Sequence, residues 1–228
     1  MNLPATLYYG KKLVYSADGS ITFYSLEYNE GYRAKSVGAF TESLHKFIIP
    51  SGVKELIKKK SVALLDLCTG AGYNLAVLLS ELLEIKGKHD IFIVTVDKDE
   101  KLKKIIDNTL FLWPREGFKT LKLLINGYNI KGITLCSHII DVRTFLNNCT
   151  FLFDIIFFDP FSKKNNHELW NMSIYKKLYE VLLKNGRVLT YASSRYVIRD
   201  FETVGFKHFK IPKLQYSFSD SSVFIKSD

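Results

Sequence analysis

The chain has 228 residues, with 32 lysines and arginines against 23 aspartates and glutamates and a formal net charge of +9. Hydrophobic residues make up 47% and aromatic ones 14%, which excludes a disordered or collagen-like chain and allows a core that needs no metal or disulfide staple. No apolar run approaches the roughly 18 residues of a membrane span. The three cysteines, Cys68, Cys136 and Cys149, form no CxxC pair and suit a reducing compartment. Met1-Asn2-Leu3-Pro4 lacks the basic and apolar regions of a secretory signal. The expectation is a soluble, cytoplasmic protein. Its positive excess points to an anionic partner such as nucleic acid, set against the plainer reading of a lysine-rich coding bias.

In chain order, Leu7 to Tyr15 and Ile21 to Leu26 are β-rich runs separated by Ser16-Ala17-Asp18-Gly19-Ser20, a hairpin signal. Thr41 and Ser51 are candidate caps of two short helices, with Pro50 between them. From Ser61 the rhythm becomes strand, glycine turn, helix, strand. Val62 to Leu67, Ile91 to Val96, Ile133 to Ile140, Phe153 to Phe158 and Arg187 to Ala192 read as buried strands. Helices are expected after Gly72 through Leu83 and from about Glu100 to Leu112. Residues 206–211 and 221–226 supply a closing pair of strands. The expected fold is α/β, a mostly parallel seven-stranded sheet with helices on both faces and an N-terminal β-hairpin and helix appendage. The expected division is an appendage over 1–60 and a main domain over 61–228, with an insertion at about 113–132, of the kind that often forms lids, containing an apolar helical piece around Leu121 to Ile125.

In open α/β sheets, ligands bind outside the carboxyl ends of the strands. Gly70-Ala71-Gly72, Asp97, Asp141 and Asp159 stand at four successive strand ends, either as turn glycines and helix caps or together as a nucleoside site. Leu75 replaces the third glycine of the dinucleotide fingerprint. Asp97, 25 residues after Gly72, suits a ribose diol. Asp66 completes an Asp-x-x-x-Gly-x-Gly pattern more typical of methyltransferases, and Asp141 is placed for an adenine amino group. Asp159-Pro160-Phe161 suits methyl transfer to an amine, since a carboxylate can orient the nitrogen and take its proton while the Phe161 ring packs on a base. The five histidines show no metal-ligand spacing, so no metal is expected.

With these residues in place, the chain resembles the methyltransferase domain of the MnmC family, the enzymes of tRNA 5-methylaminomethyl-2-thiouridine biosynthesis, in a stand-alone form. The most specific stretches are Asp18-Gly19-Ser20-Ile21-Thr22-Phe23-Tyr24-Ser25, Glu27-Tyr28-x-Glu30-x-Tyr32 and Gly38-Ala39-x-x-Glu42, followed by Gly70, Gly72 and Asn74 of the glycine loop. Asp159, Phe161, Asn166, Glu168 and Trp170 keep the family spacing after the fourth strand, and Thr190, Ser193, Val197, Arg199 and Gly205-Phe206 match the segment beyond. The resemblance implies a Rossmann-like class I fold with S-adenosyl-L-methionine as cofactor. It implies methyl transfer to the aminomethyl nitrogen of a wobble uridine, in the anticodon region of tRNA. Asp66, Gly70, Gly72, Asn74, Asp97, Asp141 and Asp159 would hold the cofactor, and Asp159 would face the amine. Tyr24 and Glu42 would cover the methionine end or shape the substrate pocket. No FAD is expected, because the family's oxidase domain has no counterpart in this sequence.

Departures from the family pattern are Arg33 in place of a histidine, Lys163, Asn165 and His167 in place of prolines and a lysine, and the lack of a basic run between Pro212 and Asp220. A tRNA-binding surface must then come from dispersed side chains, with Phe161, Lys163, Arg195 and Arg199 as substrate contacts and Arg33, Lys35 and Lys164 beside them. Three alternatives stay open: an aminopropyltransferase of the spermidine-synthase type, an NAD-dependent oxidoreductase, and a non-catalytic RNA-binding module on a methyltransferase scaffold.

Overall fold

The computed structural model describes residues 7–87, 89–109, 111, 114–214 and 219–227. The expectations placed on Met1 to Pro4, on Leu112 as the end of a helix and on Trp113 lie outside these residues.

The N-terminal part is a four-stranded antiparallel sheet in the order β1 (Leu7–Tyr8), β2 (Lys11–Tyr15), β3 (Ile21–Ser25), β4 (Glu30–Gly31). The β-rich run expected over Leu7 to Tyr15 is two strands, because Tyr9 (φ 52°) and Gly10 (φ 83°) turn the chain back on itself. Helix α1 (Ala39–Ser43) passes into a π-helical stretch over Leu44–Ile48, then α2 (Ile49–Ser51) and α3 (Val53–Leu56). Pro50 sits within α2 rather than between helices. The expected cap Thr41 is instead held from outside: its N–H donates to Asp18 Oδ2 at 2.9 Å. Asp18 also accepts from the N–H of Ser20 (3.0 Å) and from the Ser16 hydroxyl (3.1 Å), which fixes the hairpin turn onto the helix.

The main sheet has seven strands in the order β10-β11-β9-β8-β5-β6-β7. They are β5 (Val62–Leu67), β6 (Ile91–Asp97), β7 (Ile133–Ile139), β8 (Phe153–Phe158), β9 (Leu182–Thr190), β10 (Phe206–Ile211) and β11 (Ser221–Lys226). β5 to β9 are parallel and β11 runs antiparallel to β9 and β10. β9 begins five residues before the expected Arg187, because Asn185 at φ 62° bridges an irregular register against β8.

Each strand alternates its side chains between two apolar layers. Leu64, Ile155 and Phe157 join one, with α4 (Tyr73–Leu83), α5 (Lys101–Asn108) and α6 (Arg115–Ile125). Leu65, Leu67, Ile156 and Phe158 join the other, with α7 (Val142–Asn148), α8 (Met172–Glu180) and α9 (Arg195–Val204). Both faces being covered is why these strands read as continuous apolar runs. The first layer also contains Phe23, Ala39, Phe47 and Ile48, so the N-terminal part shares a core with the sheet.

The segment expected as an insertion carries α6, whose Phe118, Leu121 and Leu124 are buried against α4. The backbones approach so closely at Gly117 that a Cβ there would lie 1.8 Å from the Ala76 carbonyl oxygen. This helix is part of a packed layer. Gly117→Ala should therefore lower stability by about 3 kcal/mol or more, since two helices must separate. Gly127→Ala, in open space at φ +81°, should cost only about 1 kcal/mol of backbone strain. Urea melts of the two variants read the difference.

Candidate active site

The sheet order reverses at β5, which has β6 on one side and β8 on the other, and the crevice of such a sheet opens there. The loop from Cys68 to Gly72 leaves β5 through a run of left-handed backbone: Cys68 at φ 62°, Gly70 at φ 57° and Gly72 at φ 78°. A cavity of about 1000 Å³ lies over this end of the sheet. Its wall is built from the glycine loop, the ends of β6, β8 and β9, and the N-terminal segment from Tyr9 to Lys46.

Asp159, at the end of β8, is held in this wall by two distant parts of the chain. Arg33 Nη1 lies 2.5 Å from Asp159 Oδ2, with both side chains under 10% exposed. Asn74, in the first turn of α4, donates its amide Nδ2–H to the same oxygen at 3.1 Å. Burial pushes the Asp159 carboxyl up to about 6 against the opposing charge of Arg33. Behind it, on the layer that holds α4, Asp66 is completely buried, and neither carboxyl oxygen has a hydrogen-bond partner among the described residues. Burial first, and then the charge of Asp159, raise its carboxyl to about 7.

Asp97 lines the cavity, accepting the N–H of Gly70 at 3.0 Å and of Asp99 at 2.9 Å. Asp141 lines it too, as the cap of α7: it accepts the Arg143 N–H at 2.8 Å and a two-pronged contact from the Arg143 guanidinium. Asp141 thus caps α7 and lines the cavity at once. Glu42 is buried in the wall, paired with Lys46 at 2.8 Å and accepting the Ala34 N–H at 2.9 Å. Phe161 stacks on Tyr28 with ring centroids 4.5 Å apart and meets Tyr32 edge-on.

Several expected site residues are not in the wall. Tyr24 is turned away, its hydroxyl donating to Asn29 Oδ1 at 2.6 Å, because strand alternation puts Phe23 and not Tyr24 toward the core. Asp66, Gly72 and Asn74 lie behind the wall: Asn74 acts on Asp159, and Gly72 admits Leu121, which would approach an added Cβ to 2.7 Å. Lys163, Arg195 and Arg199 are exposed and outside the cavity. Arg33, expected on a basic surface, is instead the buried partner of Asp159.

Residues that sequence reasoning did not single out complete the wall. Glu30 accepts from the Ser162 N–H (3.1 Å), the Ser162 hydroxyl (2.7 Å) and Asn165 Nδ2 (2.7 Å), so it ties β4 to the loop that carries Phe161. Lys11 pairs with Asp99, and Lys98 lies 5.1 Å from the Tyr28 ring centre. The spacing Glu27-Tyr28-x-Glu30-x-Tyr32 was the available signal for Glu30 and Tyr28. Nothing in the local sequence marked Tyr191 at the end of β9. Nine carboxylates and five cations line the cavity, an acidic recess in a protein of net charge +9. Among the described residues no cluster of His, Cys, Asp and Glu is arranged to hold a metal, and no helix is long and apolar enough to cross a membrane.

An acid at the second strand end, a glycine loop in left-handed backbone beside it, and an excess of negative wall charge fit a nucleoside carrying positive charge. That is the class of the Rossmann-like methyltransferases. A family model described as S-adenosyl-L-methionine-dependent methyltransferase matches residues 100–215. The solved structure of MnmC2 from Aquifex aeolicus is 30% identical and superposes with a TM-score of 0.84, over 94% of this chain and 70% of that one. An uncharacterized protein of Methanocaldococcus jannaschii is 28% identical over 86% of this chain and 57% of its own length. The bifunctional MnmC of Campylobacter hominis, named for tRNA 5-methylaminomethyl-2-thiouridine biosynthesis, is 27% identical over 73% of this chain. The chain spans about half of the first of these two relatives and about a quarter of the second. The protein belongs to the S-adenosyl-L-methionine-dependent methyltransferases, in the family of the MnmC methyltransferase domain, and its cofactor is S-adenosyl-L-methionine.

The buried Asp66 has a measurable consequence. An ordinary aspartate titrates at about 3.9. Between about pH 4 and 7 the folded protein therefore keeps a proton that the unfolded chain has released, and stability falls as pH rises through that window. Asp66→Asn carries no such proton. Its Tm relative to wild type should be several degrees more favourable at pH 8 than at pH 4.5, and a constant offset across that range would refute a buried neutral carboxyl.

Proposed function

We propose that the protein methylates an aminomethyl nitrogen on the wobble uridine of tRNA, with Asp159 as the catalytic carboxylate. The observation that carries this is Asp159 itself, at the switch point of the sheet with Arg33 and Asn74 on its carboxylate. The similarity to MnmC2 over nearly the whole chain, and to the Campylobacter hominis MnmC named for tRNA 5-methylaminomethyl-2-thiouridine biosynthesis, supports the substrate.

S-adenosyl-L-methionine, when bound, supplies a methyl group on a positively charged sulfur. Asp97 would take the ribose diol and Asp141 the adenine side, with Gly70 beside Asp97, to which its N–H donates. Asp159 would accept a hydrogen bond from the substrate amine, turn its lone pair toward the methyl, and take the proton released as the carbon–nitrogen bond forms and the carbon–sulfur bond breaks, the electron pair of the latter staying on the departing neutral thioether. Arg33 and Asn74 keep that carboxylate ionised near neutral pH and fixed in direction. Phe161, backed by Tyr28, offers a face to the base. In this reading residues 1–60 are the appendage that closes the site, and 61–228 the catalytic domain.

The charge distribution suits a cationic amine borne by a polyanion. The recess is acidic, whereas Lys163, Lys164 and Arg195 are exposed on the segments leading away from Phe161 and Tyr191. Arg195 opens α9, where a cation opposes the helix dipole by about 0.3–1 kcal/mol, so helix stability does not account for it. Arg199 lies 5.6 Å from the ring centre of the exposed Tyr196, an arrangement open to phosphate and base together.

Asp159→Ala should abolish labelled methyl transfer to tRNA lacking this modification step, while affinity for S-adenosyl-L-methionine stays within about tenfold, or ~1.4 kcal/mol. Undiminished turnover removes Asp159 from the mechanism. Aminopropyl transfer from the decarboxylated donor would replace methyl transfer as the activity. Changing Lys163, Lys164, Arg195 and Arg199 to glutamine should weaken tRNA binding and flatten its dependence on salt, by about one unit of slope per lost phosphate contact, with cofactor affinity unchanged.

A further inference from the structure

Resting on that reading, we propose that the Tyr191 hydroxyl is reserved for the acceptor substrate, donating a hydrogen bond to an acceptor atom of the amine-bearing base, which in a uridine is a ring carbonyl oxygen. Tyr191 follows β9 directly and lines the cavity. Its hydroxyl is buried and has no hydrogen-bond partner among the described residues. Buried hydroxyls in folded proteins are nearly always satisfied, so an unsatisfied one on a side chain that lines a cavity calls for a partner. Of the described side chains with such orphaned atoms, Tyr191 alone lines the cavity: Thr22, Ser43, Asp66, Asn74, Thr109, Tyr175 and Arg187 do not.

The order of strands says which ligand. The glycine loop, Asp97 and Asp141 follow β5, β6 and β7, and Asp159 follows β8. Tyr191 follows β9, on the far side of Asp159 from all three, where the acceptor and not the cofactor must enter. The ring is held there, 5.9 Å from that of Trp170, whose indole N–H donates to the Phe161 carbonyl at 2.7 Å. Burial first, and then the negative charge of Asp159, Glu30 and Glu42, holds the phenol in its neutral, proton-donating form. A neutral donor beside a proton-accepting carboxylate can tell an aminomethylated pyrimidine, which carries both a carbonyl and an amine, from a simple alkylamine, which carries only the amine.

The test compares Tyr191→Phe with Tyr175→Phe in the full chain. Tyr175 also has an orphaned hydroxyl, but it is stacked on Phe201 in the opposite apolar layer, away from the cavity. Both variants discard an unsatisfied buried hydroxyl, so both should melt at the wild-type temperature or a few degrees above it. Tyr191→Phe alone should lose about tenfold in kcat/KM for the tRNA acceptor, mostly as a raised KM, with the affinity for S-adenosyl-L-methionine within about twofold of wild type. Unchanged kcat/KM overturns the assignment, as does a loss of cofactor affinity. A Tm several degrees below wild type overturns it as well, because the hydroxyl then serves the fold. Wild-type protein that transfers no methyl group to tRNA fails the substrate reading instead, and the melting comparison still decides whether Tyr191 is structural.

Discussion

The arrangement depends on one buried charge. Asp159 stands where β8 ends, and its carboxylate is met by Arg33 from the N-terminal part and Asn74 from the helix after the glycine loop. Removing a carboxylate from water is expensive unless it is paired and hydrogen-bonded. The appendage, the glycine-loop helix and β8 therefore have to come together for Asp159 to exist in this state. Asp66 behind it has no such partners and keeps its proton to about pH 7, which limits the negative charge concentrated at this point.

The N-terminal part is fastened by the same kind of interaction repeated around the cavity. Glu30 takes three donors from the loop after Asp159, Lys11 pairs with Asp99, and Glu42 holds both Lys46 and the Ala34 N–H. Each of these acids meets its partners inside or beside the recess, so the groups that shape the wall also attach the appendage. The shared apolar layer through Phe23 and Phe47 supplies the non-directional part of that attachment. In the proposed reading the acidic interior and the exposed cations beyond it would separate two tasks within one chain: admitting a positively charged reactant and holding a polyanion.

Much of the sheet was legible from the chain alone. β5, β8, β10 and β11 fall where the apolar runs placed them, and α4 starts after Gly72 as the glycine turn required. Errors came where one residue breaks a run without breaking its hydrophobicity. Tyr9 and Gly10 fold one β-rich stretch into two strands, and Asn185 lengthens β9. In the segment read as an insertion, the apolar helical piece expected around Leu121 to Ile125 is the end of α6; its packing on α4, where Gly117 lets two backbones approach, is what no periodicity announces.

What the sequence by itself determined is the set of strand ends: runs of buried apolar residues, glycines able to take left-handed backbone, and acids one step beyond the strands. These are local properties, written in the period of a strand or the freedom of a turn. The tertiary structure alone decided which of those acids face the cavity and what accompanies them. It turned Tyr24 outward, withdrew Asp66 and Asn74 behind the wall, and brought Arg33, Glu30 and Tyr191 into it. The reason is distance along the chain. A buried carboxylate needs a counter-charge within a few ångströms, but the residue that provides it can stand anywhere in the sequence, and only the packed sheet and its appendage settle which one does.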